Sequence, residues 1–278
     1  MILPYILLKS NLLNYFLIDK IFKRIEMDNF DVNHLLELVK DDSKVWDLYA
    51  NGFTIGLNQC EKESTTKKCM KYKPQNLGEL ASIISAIRPG FASLVNRFIA
   101  REQYTTGEKV IDDLLEESHH WALFQESLMK ILNFCGLEMN ETYGVIKAIS
   151  KKKYKDHPEK LVELKNRLKV GWKEKIGNLD NFENVWQVLE SSASYAYNSP
   201  HALSMAGDSA YQAYFKAHYT DKFYEVAINH YIEKKNKKKV DFKPKLLKLT
   251  SVPIDEIDEI FAEQYLATGQ LTYTYKGE

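Results

Sequence analysis

The chain has 278 residues, with 38 basic and 38 acidic side chains and a formal net charge of 0. That length buries a sizeable core without disulfides or metal, and 45% apolar with 27% charged residues excludes a wholly disordered chain or a fibrous repeat. A total of zero argues against nucleic-acid binding, for which a basic excess is usual, unless the charges are segregated.

Met1 to Phe16 reads MILPYILLKSNLLNYF. With no basic stretch before it and no small-residue cleavage site after it, it is not expected to be an export signal. Lys9, Ser10, Asn11 and Asn14 interrupt it well short of the roughly 18 apolar residues of a membrane span. It reads as a buried strand and helix. Val32 to Tyr49 carries Leu35, Leu36, Val39, Val45 and Leu48 at helical spacing. Asn76 with Glu79 forms a loose capping box before Leu80, Ile83, Ile84 and Ile87. Arg88-Pro89-Gly90 stops that helix, because proline lacks a donor and glycine permits positive φ. Further helices are expected over Leu94 to Arg101, Val110 to Leu115 and Trp121 to Cys135, the last closed by Gly136. Others follow over Leu161 to Trp172, Phe182 to Glu190, Leu203 to Tyr219 and Phe223 to Lys235, with an acidic amphipathic helix over Ile254 to Tyr265. The fold class is mainly α, with one or two short N-terminal strands. Cys60, Cys69 and Cys135 are too few for a disulfide framework and contain no C-x-x-C pair. They read as buried, inert thiols of a reducing cytoplasm.

The charge is segregated. Lys147 to Lys175 holds eleven basic and four acidic residues, a net +7. Glu233 to Leu249 is +6, and Glu102 to Glu126 is −6. A patch rather than a total steers a polyanion. The bland reading is a solvated helix face. Interleaved aromatics (Tyr143, Tyr154, Trp172, Tyr195 and Tyr197) favour the other, since bases stack on such rings.

Lys147 and Lys151 share a helix face at i, i+4 and would aim at one phosphate target. Lys152 and Lys153 extend the run. His201 precedes a helical stretch for which Asn198 or Ser199 is the N-cap and Pro200 the first helical residue. Free N–H groups at such a helix start suit a phosphate, although His201 packing locally is the simpler reading. His119-His120 with Glu116, Glu117 and Glu126 lacks H-E-x-x-H spacing and is not read as a metal site.

Six segments in order resemble the fingers region of the C-family replicative DNA polymerases, the α subunit of bacterial DNA polymerase III. Gly56-Leu-Asn-Gln-Cys-Glu61 resembles G-V-F-Q-x-E, with Lys73-Pro74 at fitting distance. Leu80 to Phe91, with Ile87-Arg88-Pro89-Gly90, resembles the turn Y-R-P-G-P, and Leu123 to Met129 resembles Y-Q-E-Q-V-M. Lys147 to Lys153 resembles R-A-M-G-K-K-K, Tyr195 to Ala202 resembles G-Y-x-F-x-K-x-H-A, and Tyr211 to Tyr219 resembles Y-Q-x-x-W-L-K-A-H-Y.

The resemblance implies a palm remnant over residues 1–26, a fingers domain over 27–240 and a C-terminal extension over 241–278. It implies that Lys9, Arg88, Lys147, Lys151, Lys152, Lys153, Asn198 and His201 contact DNA or a deoxynucleotide triphosphate, with Arg88 alternatively fixing its turn. The family's palm supplies aspartates for Mg²⁺. Asn11 stands at the position of the third, and an amide cannot supply that charge; the other two would lie upstream of Met1. Ile146 replaces the first arginine of a pair, and Ser150 and Ser199 replace a glycine and a lysine. The expectation is a cytoplasmic, partial DNA polymerase with no cofactor of its own and no membrane association. It would act in DNA replication as a nucleotidyltransferase only where a partner chain adds the palm and its Mg²⁺. The alternative is a non-catalytic remnant that binds nucleic acid or another replication protein.

Overall fold

The computed structural model of the chain describes residues 32–151, 157–220, 223 and 226. These are mainly helical. In chain order they form α1 (Val32–Lys40), α2 (Ser43–Asn51), α3 (Glu63–Tyr72), α4 (Leu77–Ala86), a 3-10 turn (Pro89–Phe91), α5 (Val95–Ile99) and α6 (Lys109–Asp113). A second 3-10 turn (Glu116–Ser118), α7 (Gln125–Phe134), α8 (Met139–Ser150), α9 (Pro158–Ile176), α10 (Phe182–Ser192) and α11 (Ser199–His218) complete them. The expected N-terminal strands, the palm remnant, the extension over 241–278 and the helix over Ile254 to Tyr265 lie outside the described residues. So does the helix expected over Phe223 to Lys235, apart from Phe223 and Val226.

The single helix expected over Val32 to Tyr49 is two. The Asp42 side chain accepts from the Lys44 N–H at 3.0 Å and caps α2, so an acidic residue breaks an unbroken apolar period. One helix escaped the sequence reading: the exposed α3 buries only Thr65, Cys69 and Tyr72. Of α8 the sequence reading takes only the end with Lys147 and Lys151 as helical; its start is capped reciprocally by Glu138 and Glu141.

The described residues divide into two compact units, one built from the segments up to Leu77 and from Ser204 onward, the other from Gly78 to Leu203. In the first, α11 buries a polar row. Ser209 bonds the Tyr49 hydroxyl at 2.8 Å, Gln212 accepts from the Asn58 N–H at 2.6 Å, and the fully buried Lys216 donates to the Phe53 and Ile55 carbonyls at 2.8 and 3.0 Å. Bonding to carbonyls offsets part of the large cost of burying an ammonium.

In the second unit, Leu128, Ile131 and Leu132 of α7, Ile146 of α8, Leu168 and Trp172 of α9, and Val185, Trp186 and Leu189 of α10 form one core. The Trp172 ring sits edge-on to Phe134 and Phe182, at 6.2 and 5.7 Å between centroids. Each such fully buried side chain contributes about 1.5–3 kcal/mol. A β-carbon at Gly171 would collide with the Cys135 carbonyl, so glycine is what lets α9 approach that backbone. All three cysteines are buried and free. Burial pushes the Cys135 thiol up to about 12, which leaves almost no reactive thiolate at neutral pH.

Candidate nucleic-acid interface

The expected stop after α4 is present. Arg88 is extended (φ −70°, ψ 149°) and leads into the 3-10 turn of Pro89–Phe91. A β-carbon at Gly90 would come within 2.5 Å of the Tyr195 β-carbon, so this position admits only glycine while the Tyr195 segment lies against it. Phe91 packs on Tyr195 at 5.2 Å and Trp121 at 5.8 Å, and the Tyr195 hydroxyl bonds Ser192 at 2.8 Å.

A parallel bridge between Phe124 and Tyr197 ties that segment to the start of α7. The Tyr197 N–H donates to the Leu123 carbonyl at 2.8 Å, and the Gln125 N–H donates to the Tyr197 carbonyl at 2.9 Å. The Glu126 carboxylate, in the first turn of α7, then accepts from the Asn198 amide and the Ser199 N–H, both at 2.8 Å. The Asn198 carbonyl oxygen accepts from the His201 N–H at 3.0 Å. Asn198 is therefore the N-cap, and Pro200 is the second residue of α11 rather than the first. The expectation of free N–H groups at this helix start is corrected. Ser199 and His201 already donate, Pro200 has no N–H, and Glu126 occupies the place an anion would take. Sequence reading missed this role of Glu126, whose one local signal was an acidic residue in a first helical turn.

Arg88, Tyr197 and His201 come together here. The Arg88 guanidinium lies 3.6 Å from the Tyr197 ring centroid, and the His201 ring meets that ring edge-on at 5.3 Å. Partial burial, and secondarily the Arg88 charge, push the His201 pKa down, so its ring is neutral at pH 7 and keeps one N–H to donate. Burial raises the Tyr197 pKa while Arg88 opposes it. Arg88 pairs with no carboxylate among the described residues.

Lys147 and Lys151 lie on a different element, at the exposed end of α8. Lys9, Asn11, Lys152 and Lys153 lie outside the described residues. The basic cluster is internally divided. On α9, Lys165 and Lys169 both pair with Glu183, at 2.6 and 3.1 Å, and Arg167 pairs with Glu141 at 2.9 Å. Lys165 and then Lys169 hold Glu183 below the usual carboxylate range, and Arg167 does the same for Glu141. Such exposed pairs add little to stability, but they spend charge that phosphate would otherwise meet. The stacking expectation also narrows. Trp172 is wholly buried, Tyr195 is packed against Phe91, and Tyr197 is half-buried, whereas Tyr143 is exposed. Tyr154 lies outside the described residues. His119 stands beside Arg101, which pairs with Glu79. Among the described residues no group of three His, Cys, Asp or Glu side chains is placed to hold a metal ion, and no helix is long and apolar enough to cross a membrane.

The family model for the bacterial DNA polymerase III alpha subunit finger domain matches residues 14–173. DNA polymerase III subunit alpha of Aquifex aeolicus is 29% identical over 212 residues, covering 73% of this chain and 18% of that protein. The subunit of Thermotoga maritima is 28% identical over 186 residues, covering 66% and 21%. That of Mycoplasma genitalium is 27% identical over 237 residues, covering 82% and 26%. The chain thus spans between 18% and 26% of the length of these relatives.

Proposed function

The chain belongs to the bacterial DNA polymerase III alpha subunit finger-domain family, and on that premise we propose that it serves DNA replication in the cytoplasm by binding the phosphates of DNA and of deoxynucleotide triphosphates. The observation that carries this reading is Arg88 stacked on Tyr197 beside a neutral His201. The ring supports one face of the guanidinium and leaves its N–H edge for a phosphate, which such a planar fork matches bidentately. His201 adds one N–H donor without a second charge. Asn198 and Glu126 hold the helix start that carries His201 and so act as positioning residues. Lys147, Lys151, Lys152 and Lys153, with Lys9, are the further cationic contacts of this reading.

The described residues do not fit a Mg²⁺ centre, since that needs a cluster of carboxylates. On this reading the chain's share of the reaction is to bind and orient, and a partner chain bearing palm aspartates brings the metal and the nucleotidyl transfer. Other replication proteins are the expected neighbours. The test is primer extension with Mg²⁺ and deoxynucleotides, alongside primer–template binding at graded salt. The chain alone binds in a salt-dependent manner and extends nothing. Robust extension by the isolated chain overturns the partner-dependent reading, and the lack of salt-dependent binding to either DNA or nucleotide overturns the replication reading.

A further inference from the structure

We propose that the exposed face of α8 is a stacking site for single-stranded DNA, with a base on Tyr143 and the flanking phosphates on Lys147 and Lys151. This rests on the DNA-binding reading above and deepens it. Met139, Tyr143, Lys147 and Lys151 recur every fourth residue and form one exposed ridge. The ridge passes from apolar through aromatic to cationic, the order that suits a base followed by its backbone.

Three observations single this ridge out. Tyr143 is 43% exposed, while Trp172 and Tyr195 of the same basic and aromatic region are turned into packed clusters. The Lys147 ammonium lies 4.4 Å from the Tyr143 centroid, so charge and ring already act as a unit. Neither Lys147 nor Lys151 has a carboxylate partner among the described residues, in contrast to Lys165, Arg167 and Lys169 on α9. Part of the cluster's unpaired charge, that of Lys147 and Lys151, thus lies beside its exposed ring.

Gly144 points the same way. It lies within α8, next to Tyr143 and one turn from Lys147, and a β-carbon there would meet nothing within 4 Å. Glycine inside a helix is destabilising relative to alanine, and no neighbour among the described residues explains it. A strand lying close across the helix at that point does, because glycine admits a close approach where alanine would interpose a methyl group.

The test uses the full chain and two fluorescein-labelled probes of equal length, oligo(dT) and an abasic strand. The wild type binds oligo(dT) more tightly. Tyr143→Ala weakens oligo(dT) binding by about five- to a hundredfold, leaves abasic binding unchanged and so abolishes the preference; Tyr143→Phe keeps it. Replacing Lys147 and Lys151 by Gln weakens both probes and lowers the log–log salt slope by about 0.7 per lysine. Gly144→Ala raises the thermal midpoint by about 2–4 °C yet weakens oligo(dT) binding severalfold. Unchanged base preference in Tyr143→Ala overturns the stacking site, as does a stabilised Gly144→Ala that binds like wild type. A wild type that binds neither probe overturns the DNA-binding reading itself.

Discussion

Arg88 lays its guanidinium 3.6 Å from the centroid of the Tyr197 ring, joining the turn after α4 to the segment that leads into α11. A cation over a tyrosine contributes about 0.5–2 kcal/mol. It does so without a carboxylate, so the charge of Arg88 remains available to an anion.

His201 reports that charge. Burial and Arg88 lower its pKa, so the folded state binds the proton less readily than the unfolded state. The stability this group contributes is present above the ordinary histidine pKa and is lost as pH falls from there through the lowered folded-state pKa. In a proton NMR titration, His201 titrates below the usual value of about 6.5, and Arg88→Ala moves it upward. A triphosphate also raises it, because an anion favours the imidazolium. A His201 that titrates at the usual value with and without triphosphate contradicts the site.

Glu126 is the hidden support. Glu126→Ala leaves the Asn198 amide and the Ser199 N–H without their acceptor, at a cost of about 1–3 kcal/mol in urea denaturation. Glu126→Gln keeps one acceptor oxygen and loses less. Equal stability of all three proteins contradicts the assignment.

Gly171→Ala tests the packing of α9. Removing glycine from a helix interior ordinarily stabilises by about 1 kcal/mol. Here the new methyl meets the Cys135 carbonyl, and backbone cannot swing aside as a side chain does. The expected outcome is a loss of about 1–3 kcal/mol, read as a lower denaturation midpoint; a gain refutes the close approach.

Asp208 is buried, and one of its carboxylate oxygens has no hydrogen-bond partner. Burial pushes its pKa up to about 7. Between about pH 4 and 7 the folded state holds a proton that the unfolded state has released, so this group makes stability fall as pH rises through that range and level off above it. Asp208→Asn removes that slope and is more stable than wild type at about pH 8, since a buried amide costs less than a buried carboxylate. A variant with an unchanged pH profile contradicts this.

What was legible in the sequence was local. The stop at Arg88-Pro89-Gly90 and a cap at Asn198 or Ser199 follow from backbone chemistry within a few residues; the stop is present, and the cap is Asn198. The break at Asp42 was not legible, because Leu35 to Leu48 keep their period across it and only the cap geometry shows the interruption. Polar α3 gave no apolar stripe to read. The site itself is long-range. Glu126 reaches Asn198, and Arg88 reaches Tyr197, across most of the second unit, and no spacing rule encodes either contact. Aromatic residues in a basic segment look alike in sequence, yet only packing separates buried Trp172 from exposed Tyr143. The same holds for the lysines, since Glu183 and Glu141 decide which of them are spent.

The most direct measurement of the central claim is calorimetric titration of the full chain with a deoxynucleotide triphosphate and with primer–template, for wild type, Arg88→Ala, Arg88→Lys and His201→Ala. Binding is expected to weaken by roughly tenfold or more in Arg88→Ala, with little rescue by lysine because it lacks the planar fork, and by less in His201→Ala. Wild-type affinity for both ligands in all three variants would contradict that claim.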